Sequence, residues 1–162
     1  MWLFRRRRPD IHDTHPTCRR AAIDAAEVGH NALRRVVRND PDSGVRYAAV
    51  QRLHDLVILR SVLEHDDDKS VREVARVRYR QLLAGGDTLD LGYRRAALEA
   101  CPDHQIIAHV ARSARESCLR RVAIGRIHEP RLLDEIRQHD IDATVRAAAE
   151  ERLAAEAQGL QR

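Results

Sequence analysis

DPDSGVRYAAVQRLHDLVILRSVLEHDDDKSVREVARVRYRQLL, residues Asp40 to Leu83, decides the fold. It holds the same pattern twice. Asp42, Val45, Arg46, Ala49 and Leu53 in the first copy answer to Asp68, Val71, Arg72, Ala75 and Tyr79 in the second. From Val45 to Leu53, and again from Val71 to Tyr79, the apolar positions fall on one face of a helix of 3.6 residues per turn. The small alanine lets a neighbouring helix approach closely. Between the copies, Asp55 to Leu63 is a shorter apolar segment that reads as a second helix.

Outward from this stretch, Arg-x-x-Ala continues in register as Arg19/Ala22, Arg94/Ala97, Arg120/Ala123 and Arg146/Ala149. The six arginines are separated by 27, 26, 22, 26 and 26 residues. A period of this size marks a repeat array, in which no unit buries its apolar face alone. Position −1 is Cys18, Val45, Val71, Tyr93, Leu119 or Val145, and is expected to be buried. Position +7 is Ala26, Leu53, Tyr79, Cys101, Ile127 or Leu153. Further short helices are expected over Asn31 to Val37, Gln105 to Ala111 and Pro130 to Ile136.

Asp42, Asp68, Asp90, Glu116 and Asp142 stand four residues ahead of their arginine, where His15 stands in the first copy. Acidic groups there cap free N–H groups and favour the positive end of the helix dipole. They, with Asp40, Asp66 and Asp140 two residues earlier, can also pair with the repeated arginines as a ladder. The register shortens at Ala84 to Gly92, where a missing or single-turn short helix and a local bend are expected. Gly85-Gly86 ends the preceding helix. The organisation is therefore a tail over residues 1–11, one helical-repeat domain over 12–157 and a short tail over 158–162.

These residues resemble HEAT-like repeats of the short bacterial type, and are especially similar to variant leucine-rich repeats, whose units run VRxAVAxRL…L…DPD. The resemblance covers roughly residues 12–155. It implies a right-handed αα-superhelix of about six short units, with the Val-Arg helices lining the concave side, and a role in binding other macromolecules. Two related activities, chromophore lyase and DNA alkyl-base glycosylase, exist among such folds. The glycosylase cleft needs aromatic side chains, and residues 12–155 offer only Tyr47, Tyr79 and Tyr93. The iron–sulfur cluster of one variant leucine-rich repeat protein needs an N-terminal cysteine cluster, where this chain has Cys18 alone.

Composition agrees with an all-helical chain. Hydrophobic residues are 43%, drawn mainly from Ala, Leu, Val and Ile, with 3% aromatic. The net charge is +4, and Arg5, Arg6, Arg7 and Arg8 account for it, so the body is neutral. Three cysteines without a CxxC pair argue against a disulfide framework and for a reducing cytoplasm. No apolar run approaches the ~20 residues that span a bilayer.

No catalytic motif of the GxSxG, Walker, GxGxxG or HExxH kind occurs. His12, His15 and Cys18, near Asp13, complete no zinc pattern. Cys101 and Cys118 are expected to be buried as small hydrophobes. The chain is accordingly expected to be no enzyme and to hold no cofactor or metal. The candidate site is an arginine stripe: Arg52, Arg78, Arg126 and Arg152 at +6, with Arg20, Arg95 and Arg121 at +1. These are expected to point away from the core and to make the concave groove locally basic. Such a groove suits an acidic protein segment, or alternatively a nucleic-acid backbone bound with little sequence specificity together with Arg5 to Arg8. Trp2 and Phe4 beside that run could touch a membrane surface or cap the first repeat.

Overall fold

The computed structural model describes residues 10–25, 28–85 and 89–159, and among these it contains ten α-helices and no strand. The tail with Trp2, Phe4 and Arg5 to Arg8, and Ala26, lie outside the described residues. The chain divides into two compact halves, one running to Arg78 and the other from Tyr79.

In the first half, α1 (Pro16–Asp24) and α3 (Ser43–Arg52) carry the Arg-x-x-Ala register, and α2 (His30–Asn39) and α4 (Leu56–His65) lie between. Helix α3 packs on both α1 and α2, and α4 packs beside α2. Helix α5 (Lys69–Ala84) begins in this half and ends in the second. There follow α6 (Leu91–Glu99), α7 (His104–Ser113), α8 (Ser117–Ile124), α9 (Pro130–His139) and α10 (Ala143–Gly159). Helix α8 packs on α6 and α7, and α10 on α8 and α9. Within each half, therefore, an intervening helix packs on the Arg-x-x-Ala helix that follows it, and the pairs α1 and α3, α6 and α8, and α8 and α10, which share the register, lie side by side.

The repeated apolar positions make the core. Val45, Val71, Leu119 and Val145 at −1 are at most 1% exposed, and Ala49, Ala75, Ala123 and Ala149 at +3 are fully buried. Leu53, Tyr79, Cys101 and Ile127 at +7 are buried as well. From the intervening helices come Leu33, Val37, Leu59, Ile107, Val110 and Leu133. Each such aliphatic side chain contributes roughly 1.5–3 kcal/mol by leaving water.

Three sequence expectations need correction. Cys18 is exposed, although its position is buried in α3, α5, α8 and α10. Among the described residues α1 has no helix ahead of it to cover that side. Cys118, one residue nearer the N-terminus of its helix than the −1 position, is also exposed; only Cys101 is buried. The intervening helices are not uniformly shorter: α2, α4, α7 and α9 each have ten residues, against 9, 10, 9 and 8 in α1, α3, α6 and α8, and only α5 and α10, with 16 and 17, are longer. Their polar ends, such as Arg38-Asn39, extend the apolar runs that the sequence reveals.

The acidic caps form as expected at the aspartates. Asp42 accepts from the backbone N–H of Val45 at 2.9 Å, Asp90 from Tyr93 at 2.9 Å, and Asp142 from Thr144 at 2.8 Å. Among the described residues no second helix stands between α5 and α6, in keeping with the short spacing. Gly85 closes α5 with its N–H 2.8 Å from the carbonyl of Gln81. A Cβ on Gly85 would lie 2.9 Å from that same oxygen, so glycine is needed there.

Candidate functional site

The repeated arginine works as a two-sided clamp. In α1, Nη1 of Arg19 donates to the carbonyls of Asp13 and Thr14, both at 3.0 Å, in the loop that leads into its own helix. Its Nε and Nη2 donate to the carboxylate of Asp40, in the next loop, at 2.7 and 2.8 Å. Arg46 holds the carbonyls of Asp40 and Pro41 and grips Asp66 at 2.9 Å through both donors. Arg120 holds those of Ala114 and Arg115 and grips Asp140 at 2.8 and 2.9 Å. Arg94 follows with local differences. It holds the carbonyl of Leu83 at the end of α5 and grips Glu116. Planar guanidinium matches carboxylate in this two-point geometry, which lysine cannot reproduce. Arg72 holds the carbonyls of Asp66 and Asp67; the loop that follows it includes residues 86–88, outside the described residues.

The clamp sets the titration of its carboxylates. Burial opposes ionisation of Asp40 and Asp66, yet the hydrogen bonds from Arg19 and Arg46, with the N–H groups of Asp42 and Asp68, outweigh it and hold both below the ordinary value. Glu116 is lowered chiefly by Arg94. The capping Asp142 is held down to about 2 by the Thr144 hydroxyl and backbone N–H. A carboxyl depressed on folding stabilises the fold above its unfolded value and loses that contribution as pH falls through its folded value. Stability should therefore be level above about pH 5 and fall steeply between about pH 4 and 2. Urea titrations at stepped pH would show it. A midpoint unchanged down to pH 2.5 would contradict the clamp.

The +6 arginines form a second set of ties. Arg52 donates to the carbonyl of Ile23 in the last turn of α1. Arg78 donates to Leu53 at 3.1 Å, Arg126 to Leu98 at 2.6 Å and Arg152 to Ile127 at 3.0 Å. Each accepting carbonyl lies at or just past the end of the preceding Arg-x-x-Ala helix, where backbone acceptors lack helical partners and a cation is favoured. This corrects the expectation that Arg52, Arg78, Arg126 and Arg152 point away from the core. They are half-buried and turn back onto a neighbouring helix. Of the +1 residues, Arg20 and Arg121 are exposed, and Arg95 is exposed and paired with Glu99 at 2.9 Å. The +6 guanidinium groups of the stripe are thus engaged with main-chain carbonyls, while the +1 side chains lie exposed.

A histidine accompanies the second ties, and the sequence reading missed its regularity. Residues 30, 54, 65, 104, 128 and 139 are histidine, and the second three follow the first three by 74 residues. The same offset relates Arg52 to Arg126, Arg78 to Arg152, Asp66 to Asp140 and Arg38 to Arg112. It was available as a signal longer than one repeat. His54 lies 2.8 Å from Nη2 of Arg78 through Nε2, and 3.0 Å from the Arg52 carbonyl through Nδ1. Because arginine only donates, Nε2 accepts and Nδ1–H donates, so this imidazole is neutral. Burial and the charge of Arg78 lower its pKa in agreement. Both ring nitrogens of His54 are engaged, and His30 packs edge to face on it with ring centres 5.8 Å apart. His128 stands 2.9 Å from both Glu156 and Arg152, beside a pocket of about 220 Å³.

Among the described residues no three His, Cys, Asp or Glu side chains converge as a metal group. His12 faces Arg35, and its neighbour Cys18 is exposed. The Ser113 hydroxyl lies 3.1 Å from His109 Nε2 but donates to the His109 carbonyl at 2.6 Å, a local helical contact that does not activate it.

An open groove remains between α3 and α5, about 500 Å³ in volume. Tyr47, Val74 and Val77 give it an apolar floor, and Gln51, Lys69 and Glu73 a polar rim. These are the +1, +2 and +5 positions of the register, together with Lys69 at the start of α5. They face neither clamp. No helix of the described residues is long and apolar enough to cross a membrane. No family model matches the chain, and neither a curated protein nor a solved structure matches it.

Proposed function

We propose that this chain is a non-catalytic binding module: a right-handed α-solenoid of short HEAT-like repeats that holds a segment of another protein, in the cytoplasm. The observation that carries the reading is the groove between α3 and α5. Its apolar floor and mixed-charge rim stay open after the repeated arginines have been committed to loops and helix ends. An apolar floor within a polar rim suits a peptide or helix with one apolar face. The positions that line it lie on the Val-Arg helices, the side that a HEAT-like solenoid turns inward.

The same commitments favour protein over nucleic acid as the partner. A nucleic-acid groove needs guanidinium groups free to meet phosphates. Arg52, Arg78, Arg126 and Arg152 already donate to carbonyls. The remaining basic run, Arg5 to Arg8, lies outside the described residues.

The test starts from proteins retained by the immobilised chain from an extract of its source cells, each then purified and titrated by calorimetry. Val74→Asp with Val77→Asp should weaken the specific partner at least tenfold while circular dichroism stays unchanged. Arg20→Glu should matter little. Equal affinity of the double variant would reject the groove. Salt-sensitive retention of a 20-mer duplex, with no protein partner, would support the nucleic-acid reading instead.

A further inference from the structure

We infer that Arg146 and Asp13, which lack a clamp partner among the described residues, are the two halves of one clamp, and that the chain associates with a second copy of itself by joining them. The occupant chemistry is supplied by the molecule. Arg19, Arg46, Arg94 and Arg120 each grip a carboxylate through two nitrogens, at 2.7–2.9 Å. Arg146 occupies the same register. Its Nη1 is anchored as in Arg19, Arg46 and Arg120, to the carbonyls of Asp140 at 2.8 Å and Ile141 at 3.2 Å. The anchoring leaves Nε and Nη2 presented, the two donors that hold the acid in Arg19, Arg46 and Arg120. No carboxylate meets them among the described residues.

Asp13 is the complement. It stands six residues ahead of Arg19, as Asp40, Asp66 and Asp140 stand ahead of their own arginines. In those three, Oδ1 accepts the N–H two residues on, at 2.9–3.0 Å, and an arginine completes the carboxylate. Asp13 makes the first bond, from the N–H of His15 at 2.8 Å, and no arginine side chain pairs with it among the described residues. The carboxylate is thus already oriented for an incoming guanidinium. Nearby charges do not oppose the match. Asp13 has Arg19 beside it, as Asp40 has Arg46, and Arg146 has Asp142 four residues ahead, as Arg46 has Asp42. Ile141, in the loop that Arg146 anchors, is 93% exposed and supplies an apolar contact at the same place.

The joint is heterologous, one patch meeting a different one. It continues only the first set of ties, since +6 of the first repeat is Ala25 and not arginine. It is therefore expected to be weak and salt-sensitive. Sedimentation velocity of the full 162-residue chain, from about 10 μM to about 1 mM in low salt, reads it directly. The sedimentation coefficient should rise with concentration and stop rising in 0.5 M NaCl, where the Debye length is about 4 Å. Arg146→Asp and Asp13→Arg should each sediment as monomers, and their equimolar mixture should associate again. Asp13→Asn keeps the acceptor for the His15 N–H and removes the charge, so it should be monomeric with an unchanged melting profile. A wild-type coefficient that does not rise with concentration overturns the proposal. So does Arg146→Asp or Asp13→Asn associating like wild type. None of these variants touches the groove residues, so failure here leaves the partner-binding reading standing and the reverse also holds.

Discussion

Arg94→Ala is expected to lower the unfolding free energy by roughly 3–5 kcal/mol, the cost of breaking a buried ion pair from one side. The side chain is 1% exposed. It donates twice to the Leu83 carbonyl, at 3.1 and 2.6 Å, and twice to Glu116, at 2.8 Å. Truncation leaves the Leu83 carbonyl without its guanidinium donor and a carboxylate without its partner, and it opens a cavity where a side chain only 1% exposed had stood. Lysine should not rescue it, since one ammonium cannot serve two acceptors in a fixed fork. Glu116→Gln should cost much less, because the amide still accepts from the guanidinium. Urea unfolding followed by circular dichroism would measure all three. A loss below about 1 kcal/mol for Arg94→Ala would show that the buried fork is not holding α5 to α6.

A double-mutant cycle across Arg120 and Asp140 should give a coupling of about 1–3 kcal/mol. Both side chains are 7% exposed and the pair is bidentate. The same cycle across Arg95 and Glu99, where the side chains are 63% and 51% exposed, should give less than about 0.5 kcal/mol. The contrast matters more than either value. It separates ion pairs that tie one repeat to the next from pairs that merely sit on one helix. The double variant Arg120→Ala/Asp140→Ala should remain less stable than wild type, because the Ala114 and Arg115 carbonyls also lose their donor. Equal couplings for the two pairs would remove that distinction.

The helices were legible because their signals are local. Val45, Arg46, Ala49 and Leu53 announce a face, and Asp42 announces where the helix starts. The first clamp was half legible. Asp66 and Asp68 both stood out, but spacing alone did not say that Asp68 caps its own helix while Asp66 takes the arginine of the previous repeat. That assignment depends on which carboxylate the neighbouring helix brings within reach. The +6 arginines were misplaced for a related reason. Arg78 reads as surface because arginine is costly to bury, and its acceptor, the Leu53 carbonyl, lies 25 residues back and carries no sequence signature of its own. Cys18 was misread because a position takes its burial from the helix that covers it. The groove around Tyr47 and Val74 was not singled out either, because its residues conform to no motif.

Fastening by way of main-chain carbonyls has a mechanical consequence. Arg78 holds the oxygen of Leu53 whatever side chain stands there, as Arg126 holds that of Leu98. Each such arginine therefore acts as a bolt between two neighbouring repeats, and where both sets of ties are present, slipping one repeat past the next requires withdrawing two guanidinium groups from their seats at once. Load applied along either half would be borne by a row of such bolts and released one joint at a time, in discrete steps.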